Sequence, residues 1–349
     1  MLAVERKTYM KGNIISFLFK YGAIVLMGFI LIYFSFVNDA FFSYGNLSDI
    51  LRSISIVTLL ALGVTFTLVV DGFDLSVGST MSLSVVITAS LMVWYELPLW
   101  VVLLLPLLVG VAVGLVNTFL IVKIGIPDLL ATLGMMYIVS GLHRTYTEGY
   151  SIYNHMPLTS GGTAPGEFSS AFLWIGQGEM LGLPVPVWIM LVFVLLAYVI
   201  LNHTRWGRIL YMTGGNAEAA RLSGINTNKV KLIAYTVSGV FASMAGILFT
   251  ARVGSGQIDA GASLLMESVA AVFVGFSVLG AGKPNALGTF FGAALIGVLL
   301  NGLTMLNLPY YAFEIVKGSV LVLALAVTYI GVKYRPKVIR KRREQKHAA

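Results

Sequence analysis

Three sets of side chains in this sequence have the types and spacing for chemistry at membrane depth. Asp71 and Asp74 flank Gly72 between two long apolar runs, with Gly78 close behind. They either line a polar passage where the glycines let the backbone unwind, or Asp74 caps the helix that begins at Ser76–Val77. Glu267 and Glu314 fall near the ends of later apolar runs, and Lys317 stands one turn from Glu314, the spacing of an i,i+3 ion pair. Asn117, Thr132 and Asn301 are uncharged polar groups inside apolar runs. They serve either as hydrogen-bonding glue between helices or as readers of a solute's hydroxyl groups. A carboxylate at the centre of a membrane span costs about 2.5–3.5 kcal/mol, so those that persist there face a cavity or a partner.

Other chemistries lack their residues. His143, His155, His203 and His347 share no metal-ligand spacing, and the sequence holds no cysteine for a disulfide or a thiolate site. No H-E-x-x-H or G-x-S-x-G pattern occurs, so no catalytic residue is assigned. Gly282-Lys283 is followed by Pro284, where a phosphate-binding loop needs Ser or Thr to hold Mg²⁺. If ATP is used, another polypeptide binds it.

The elements that must position these residues are membrane helices. Of 349 residues, 58% are apolar and 11% charged, against about 25% charged in soluble domains. Mean hydropathy is +0.88. Ten segments have the apolar length to span a bilayer: about 20–37, 51–70, 77–95, 99–122, 127–142, 184–201, 230–250, 264–280, 286–306 and 311–330. The expected fold is an all-α polytopic membrane protein, one transmembrane domain over 1–349. The net charge of +8 gathers at the ends, with a basic tail over 333–349. Ten spans place both termini on one side, and the excess of Lys and Arg there makes that side cytoplasmic. Such end-loaded charge does not describe a nucleic-acid surface. Trp94, Tyr95, Trp100, Trp174 and Trp188 fall near the outer boundary, as an interfacial belt does. Gly114-x-x-Asn117 before Pro127, and Gly297-x-x-x-Asn301 before Pro309, suggest an inverted repeat of spans 2–5 and 7–10.

Two loops are long enough to do more than connect. The outer one, 143–182, is rich in Gly, Ser, Thr and Pro; it is either a flexible surface loop or a gate and docking surface for a soluble partner. The cytoplasmic one, 202–229, contains Asn216, a good N-cap, Glu218 at the positive end of a helix dipole, and Gly224, a left-handed stop. Between them lies a two-turn helix with alanines on its surface, too short to stand alone in water and in want of something to pack on.

That loop also carries a resemblance. Glu218-Ala219-Ala220-x-x-x-Gly224 matches the EAA-x-x-x-G signature of ABC importer permeases, and the wider string from Gly214 to Asn226 is similar to the ribose-type branch of monosaccharide permeases. Gly72-Phe73-Asp74-Leu75-Ser76-Val77-Gly78-Ser79, Ala131-Thr132-Leu133-Gly134-Met135 and Gly288-Thr289-x-x-Gly292-Ala293 resemble it too, so the likeness covers roughly 45 to 330. It implies a permease subunit, and not an enzyme, in the bacterial inner or cytoplasmic membrane. Its partners would be a second copy or a paralogue, cytoplasmic ATPase subunits that bind ATP and Mg²⁺, and an extracytoplasmic sugar-binding protein. Asn216, Ala217, Glu218, Ala219, Ala220 and Gly224 would form the coupling helix, Ala217 to Ser223, seated in the ATPase, with no cofactor in this chain. Asp71, Asp128, Phe276 and Ala281 depart from the family's pattern, and pentoses, hexoses, autoinducer-2 and nucleosides remain open as substrates. The competing expectation is an ion-coupled secondary transporter using Asp71, Asp74 or Glu267.

Overall fold

The computed structural model describes residues 25–159, 161–277, 282–306, 309, 312–316, 318–320 and 322–323. Helices occupy the first nine predicted segments. They are α1 (Val25–Val37), α2 (Tyr44–Val69), α3 (Val77–Val93), α4 (Leu99–Thr118), α5 (Asp128–Tyr146), then α7 (Val185–His203), α10 (Thr227–Val253), α11 (Ala260–Ser277) and α12 (Ala286–Met305). The tenth segment, Lys317 with its predicted pairing to Glu314, Ala281 and the basic tail lie wholly or mostly outside the described residues. Among the described helices, five are long and apolar enough to cross a membrane, counting α4 with its extension to Ile124.

Sequence explains where these helices stop. Ser43 accepts from the backbone of Asn46 and starts α2 well before the predicted residue 51, because the polar turn Asp49–Arg52 is tolerated at an exposed end. Six π-helical residues, Phe119–Ile124, extend α4 until Gly125 turns left-handed at φ 85°, and Pro127 then opens α5.

α2 is the central helix: 83% of its most apolar window is buried, against 28% for α4 with its extension. Leu104, Leu105 and Leu108 of α4 and Val192, Leu195 and Leu196 of α7 face outward, as lipid-contacting residues do. Because lipid gives helices no hydrophobic reason to associate, close packing must hold them together, and glycines make it. Gly110 of α4 lies directly on Gly239 of α10, and a Cβ on either would overlap the other's carbonyl.

The packing of α2, α3 and α4 is mirrored by that of α10, α11 and α12. Exchanging the two sets in order turns the α4–α10 packing into α12–α2, α3–α4 into α11–α12, and α3–α10 into α11–α2, while α2–α10 and α3–α11 map onto themselves. Gly114 sits on α10 at Tyr235–Thr236, and its predicted counterpart Gly297 sits on α2 at Ile54. Gly78 and Gly261, the second residues of α3 and α11, pack against each other. The expected counterpart of α5, the tenth segment, lies mostly outside the described residues.

The long loops are more ordered than their composition suggests. The 143–182 loop contains α6 (Ser170–Gln177) and a hairpin, β1 (Glu179–Met180) with β2 (Leu183–Pro184). Ile152, Met156, Ala164, Phe168 and Phe172 are buried with Val86, Leu91 and Met92 of α3. The 202–229 loop holds two helices where one was expected, α8 (Arg205–Gly215) and α9 (Ala217–Leu222).

Candidate functional site

α9 is built as its residues dictate. The Asn216 side chain accepts from the Ala219 amide at 2.9 Å. The Gly224 amide donates to the Arg221 carbonyl and the Ile225 amide to the Ala220 carbonyl, with Gly224 at φ 82°, a left-handed helix stop. The helix ends at Leu222, one residue before the expected Ser223. Ala220 is buried beneath it, whereas Ala217, Glu218 and Ala219 are exposed. Leu222 is 85% exposed and Trp206 of α8 56%, and Met212 is exposed as well. This is more apolar surface than a solvated turn needs.

α8 links that knob to the bundle. Gly214 is so close to the Val69 carbonyl and the Asp71 amide that no side chain fits there. On its other side Tyr211 donates to the Pro284 carbonyl at 2.7 Å, and the Lys283 ammonium lies 4.0 Å over the Tyr211 ring. Burial pushes the Tyr211 phenol up to about 12, so it stays a neutral donor. One short helix therefore touches the end of α2 and the α11–α12 turn, which belong to opposite halves of the mirrored packing.

Between α2 and α3 the chain folds back into the bundle over 70–76. Asp71 is exposed here and holds φ 59°, in the left-handed region that ordinarily favours glycine. Asp74 is 1% exposed. Its Oδ1 accepts from the Ser76 amide at 2.9 Å and from Ser76 Oγ at 2.6 Å, and its Oδ2 accepts from Ser238 Oγ of α10 at 2.9 Å. Asn117 Nδ2 of α4 donates to Ser76 Oγ at 2.8 Å. Asp74 thus caps the start of α3 and at the same time ties three helices. Thr132 Oγ1 donates to the Phe73 carbonyl at 3.1 Å, fastening α5 to the same segment.

The predicted pathway residues do not form one cluster. Asp74, Ser76 and Asn117 are joined, Thr132 is a neighbour through Phe73, and Asp71 looks outward beside α8. Asn301 lies at the other end of α2, donating to Asn46 Oδ1 at 2.9 Å. Glu267 lines a small apolar cavity with Ile296 and Leu299, away from Asp74. Among the described residues no group of His, Asp and Glu could hold a metal ion.

Sequence reasoning missed two charged sites at the ends of α5. Asp128 accepts from Lys231 Nζ at 3.1 Å and from the Tyr235 hydroxyl at 2.8 Å, directly over Gly72, where a Cβ would come within 2.7 Å of the carboxylate. At the other end Arg144 makes a two-pronged pair with Asp259, whose φ is 57°, and His143 Nε2 lies 3.5 Å from the same carboxylate. Asp128 had drawn notice only as a departure from pattern; nothing in the sequence linked it to Lys231, 103 residues away.

With this geometry in view, comparison with known proteins decides the family. Residues 46–325 match the model described as branched-chain amino acid transport system / permease component. The chain belongs to that family. It is a multi-pass permease of the plasma membrane, a transport component and not an enzyme. Among similar proteins, the ribose import permease protein RbsC of Haemophilus influenzae is 38% identical over 334 residues, 95% of this chain and 99% of that protein. RbsC of Escherichia coli (strain K12) is 40% identical over 293 residues, 84% and 88% of the two chains. The galactose/methyl galactoside import permease protein MglC of the same strain is 30% identical over 338 residues, 94% and 98%. No solved structure matches the chain.

Proposed function

We propose that this permease is the membrane-spanning subunit of an ATP-binding cassette importer that carries a monosaccharide into the cell. The observation that carries the reading is near full-length similarity at 38–40% identity to proteins named ribose import permeases. The exposed α9 knob gives it a mechanism. A separate ATPase, binding ATP and Mg²⁺, seats α9 on the cytoplasmic side, and a second permease, copy or paralogue, completes the passage. An extracytoplasmic sugar-binding protein delivers the solute to the 143–182 face. Each ATP state selects one packing of the helices, and α8 hands the movement to Val69–Asp71 and to Lys283–Pro284 together. The permease itself forms no bond with the sugar.

Ion coupling is the weaker reading, since Asp74 has both oxygens occupied by Ser76 and Ser238. Uptake of labelled ribose into liposomes holding this chain, its ATPase and its binding protein tests the proposal. Uptake is expected only with ATP, and accumulation by the chain alone would overturn it.

A further inference from the structure

α5 is attached to the bundle along α3 and by a charged clasp near each end. Its outward side, with Leu130, Tyr137, Ile138 and Leu142, is exposed; its inward side packs mainly along α3, and Met135 and Val139 add an apolar contact with Val113 of α4. Beside the uncharged bonds of Thr132 to Phe73 and of Tyr146 to Ser90, each end carries a charged clasp. Asp128 is held by Lys231 and Tyr235 of α10, and Arg144 is held by Asp259 in the lead-in to α11.

Each fastening lies beside a place where an outside partner acts. At the first end, Gly214 of α8 abuts Val69 and Asp71, and the next residue, Gly72, lies against Asp128 and Tyr235. A push on α9 therefore reaches the Asp128 clasp through two glycine contacts that have no slack. At the second end, Gly256, three residues before Asp259, pairs through its backbone with Ile152 of the 143–182 loop, at 3.0 and 2.7 Å. Movement of that loop reaches the Arg144 clasp as directly. The Arg144 side chain is 57% exposed, and exposed pairs are weak enough to part within a working cycle.

We propose that α5 is the gate of the passage and that its two clasps, Asp128–Lys231–Tyr235 and Arg144–Asp259, part in alternation. The first parts on movement of the coupling helix and the second on movement of the 143–182 loop. The inference rests on the importer reading above and adds to it the moving element and its latches.

The absence of cysteine makes the test direct. Asp128→Cys with Lys231→Cys, and separately Arg144→Cys with Asp259→Cys, are bridged by a short bifunctional thiol reagent that reductant cleaves. Bridging yield in the assembled complex is measured with and without ATP and vanadate, and with and without binding protein. Yield is expected to fall at one clasp while rising at the other, and bridging either is expected to cut ribose uptake at least tenfold until reductant is added. Yields that change together or not at all would overturn the proposal, as would full uptake with either clasp bridged. Should the cysteine chains fail to insert, the charge swaps Asp128→Lys with Lys231→Asp and Arg144→Asp with Asp259→Arg replace them. Each single reversal is expected to lower uptake at least tenfold and each swap to restore at least half. Absence of recovery in both swaps would overturn the clasps. Failure of the unaltered complex to take up any sugar counts instead against the importer reading, because the yields are read without transport.

Discussion

At the scale of single residues, Asp74 shows how a buried charge is kept. Three donors surround it, and Ser76 is used twice, donating to Asp74 and accepting from Asn117. Ser238→Ala leaves Oδ2 buried without its donor, which costs about 1–3 kcal/mol. A lower melting temperature of the purified chain in detergent is the expected result, with Ser238→Thr close to unaltered. Tyr211 offers a second residue-scale test. Its pKa of about 12 is above the ordinary 10, so its contribution to stability is complete below pH 10 and is lost as pH rises through 12. Between pH 6 and 9 uptake therefore has no dependence on this group, whereas Tyr211→Phe removes the bond to Pro284 and lowers uptake at every pH. Of these residues, Asp74 and Ser76 were legible because a cap works between neighbours in sequence. Ser238 was not, since a lone serine on an apolar helix gives no sign of a carboxylate 164 residues away.

At the scale of elements, α9 was legible to within one residue, because Asn216 and Gly224 announce its ends chemically. α8 was not: it has an apolar face, with Leu210 buried and Ile209 and Tyr211 against the core, but eleven residues ending in Gly214-Gly215 give that face only about three turns. Yet on the proposed reading α8 is what turns a surface knob into a lever. Gly224→Pro, at φ 82° where proline cannot go, and Glu218→Lys, which sets a cation on the positive end of α9, are both expected to abolish uptake while the chain still inserts. Membrane fractionation beside a transport assay separates the two effects, and normal uptake in both variants would refute the coupling role. Gly214→Val acts one step further in. A side chain there drives α8 from Val69, so the assembled complex is expected to hydrolyse ATP but to move little sugar per ATP.

At the scale of the molecule, apolar length alone located nine helices to within a few residues at most ends. Their arrangement was not legible in the same way. Sequence shows the two halves only faintly, in the Gly–Asn–Pro signals of spans four and nine and in the glycines Gly78 and Gly261 at the second residues of α3 and α11. Physics explains the loss: a lipid-facing position accepts any large apolar residue, so side chains drift while backbone crossings persist. The crossings need glycine, and Gly110→Val is expected to push α4 from α10 and leave a chain that inserts but runs as aggregate in size-exclusion chromatography.

The contact of Gly78 with Gly261 has one more consequence. The two positions share one clearance, so the size allowed at either is set by what stands at the other. Enlarging either one already spends the whole clearance, and the second enlargement finds little left to damage. Variation there is expected to be epistatic, with Gly78→Ala and Gly261→Ala together far less harmful than the sum of the two alone.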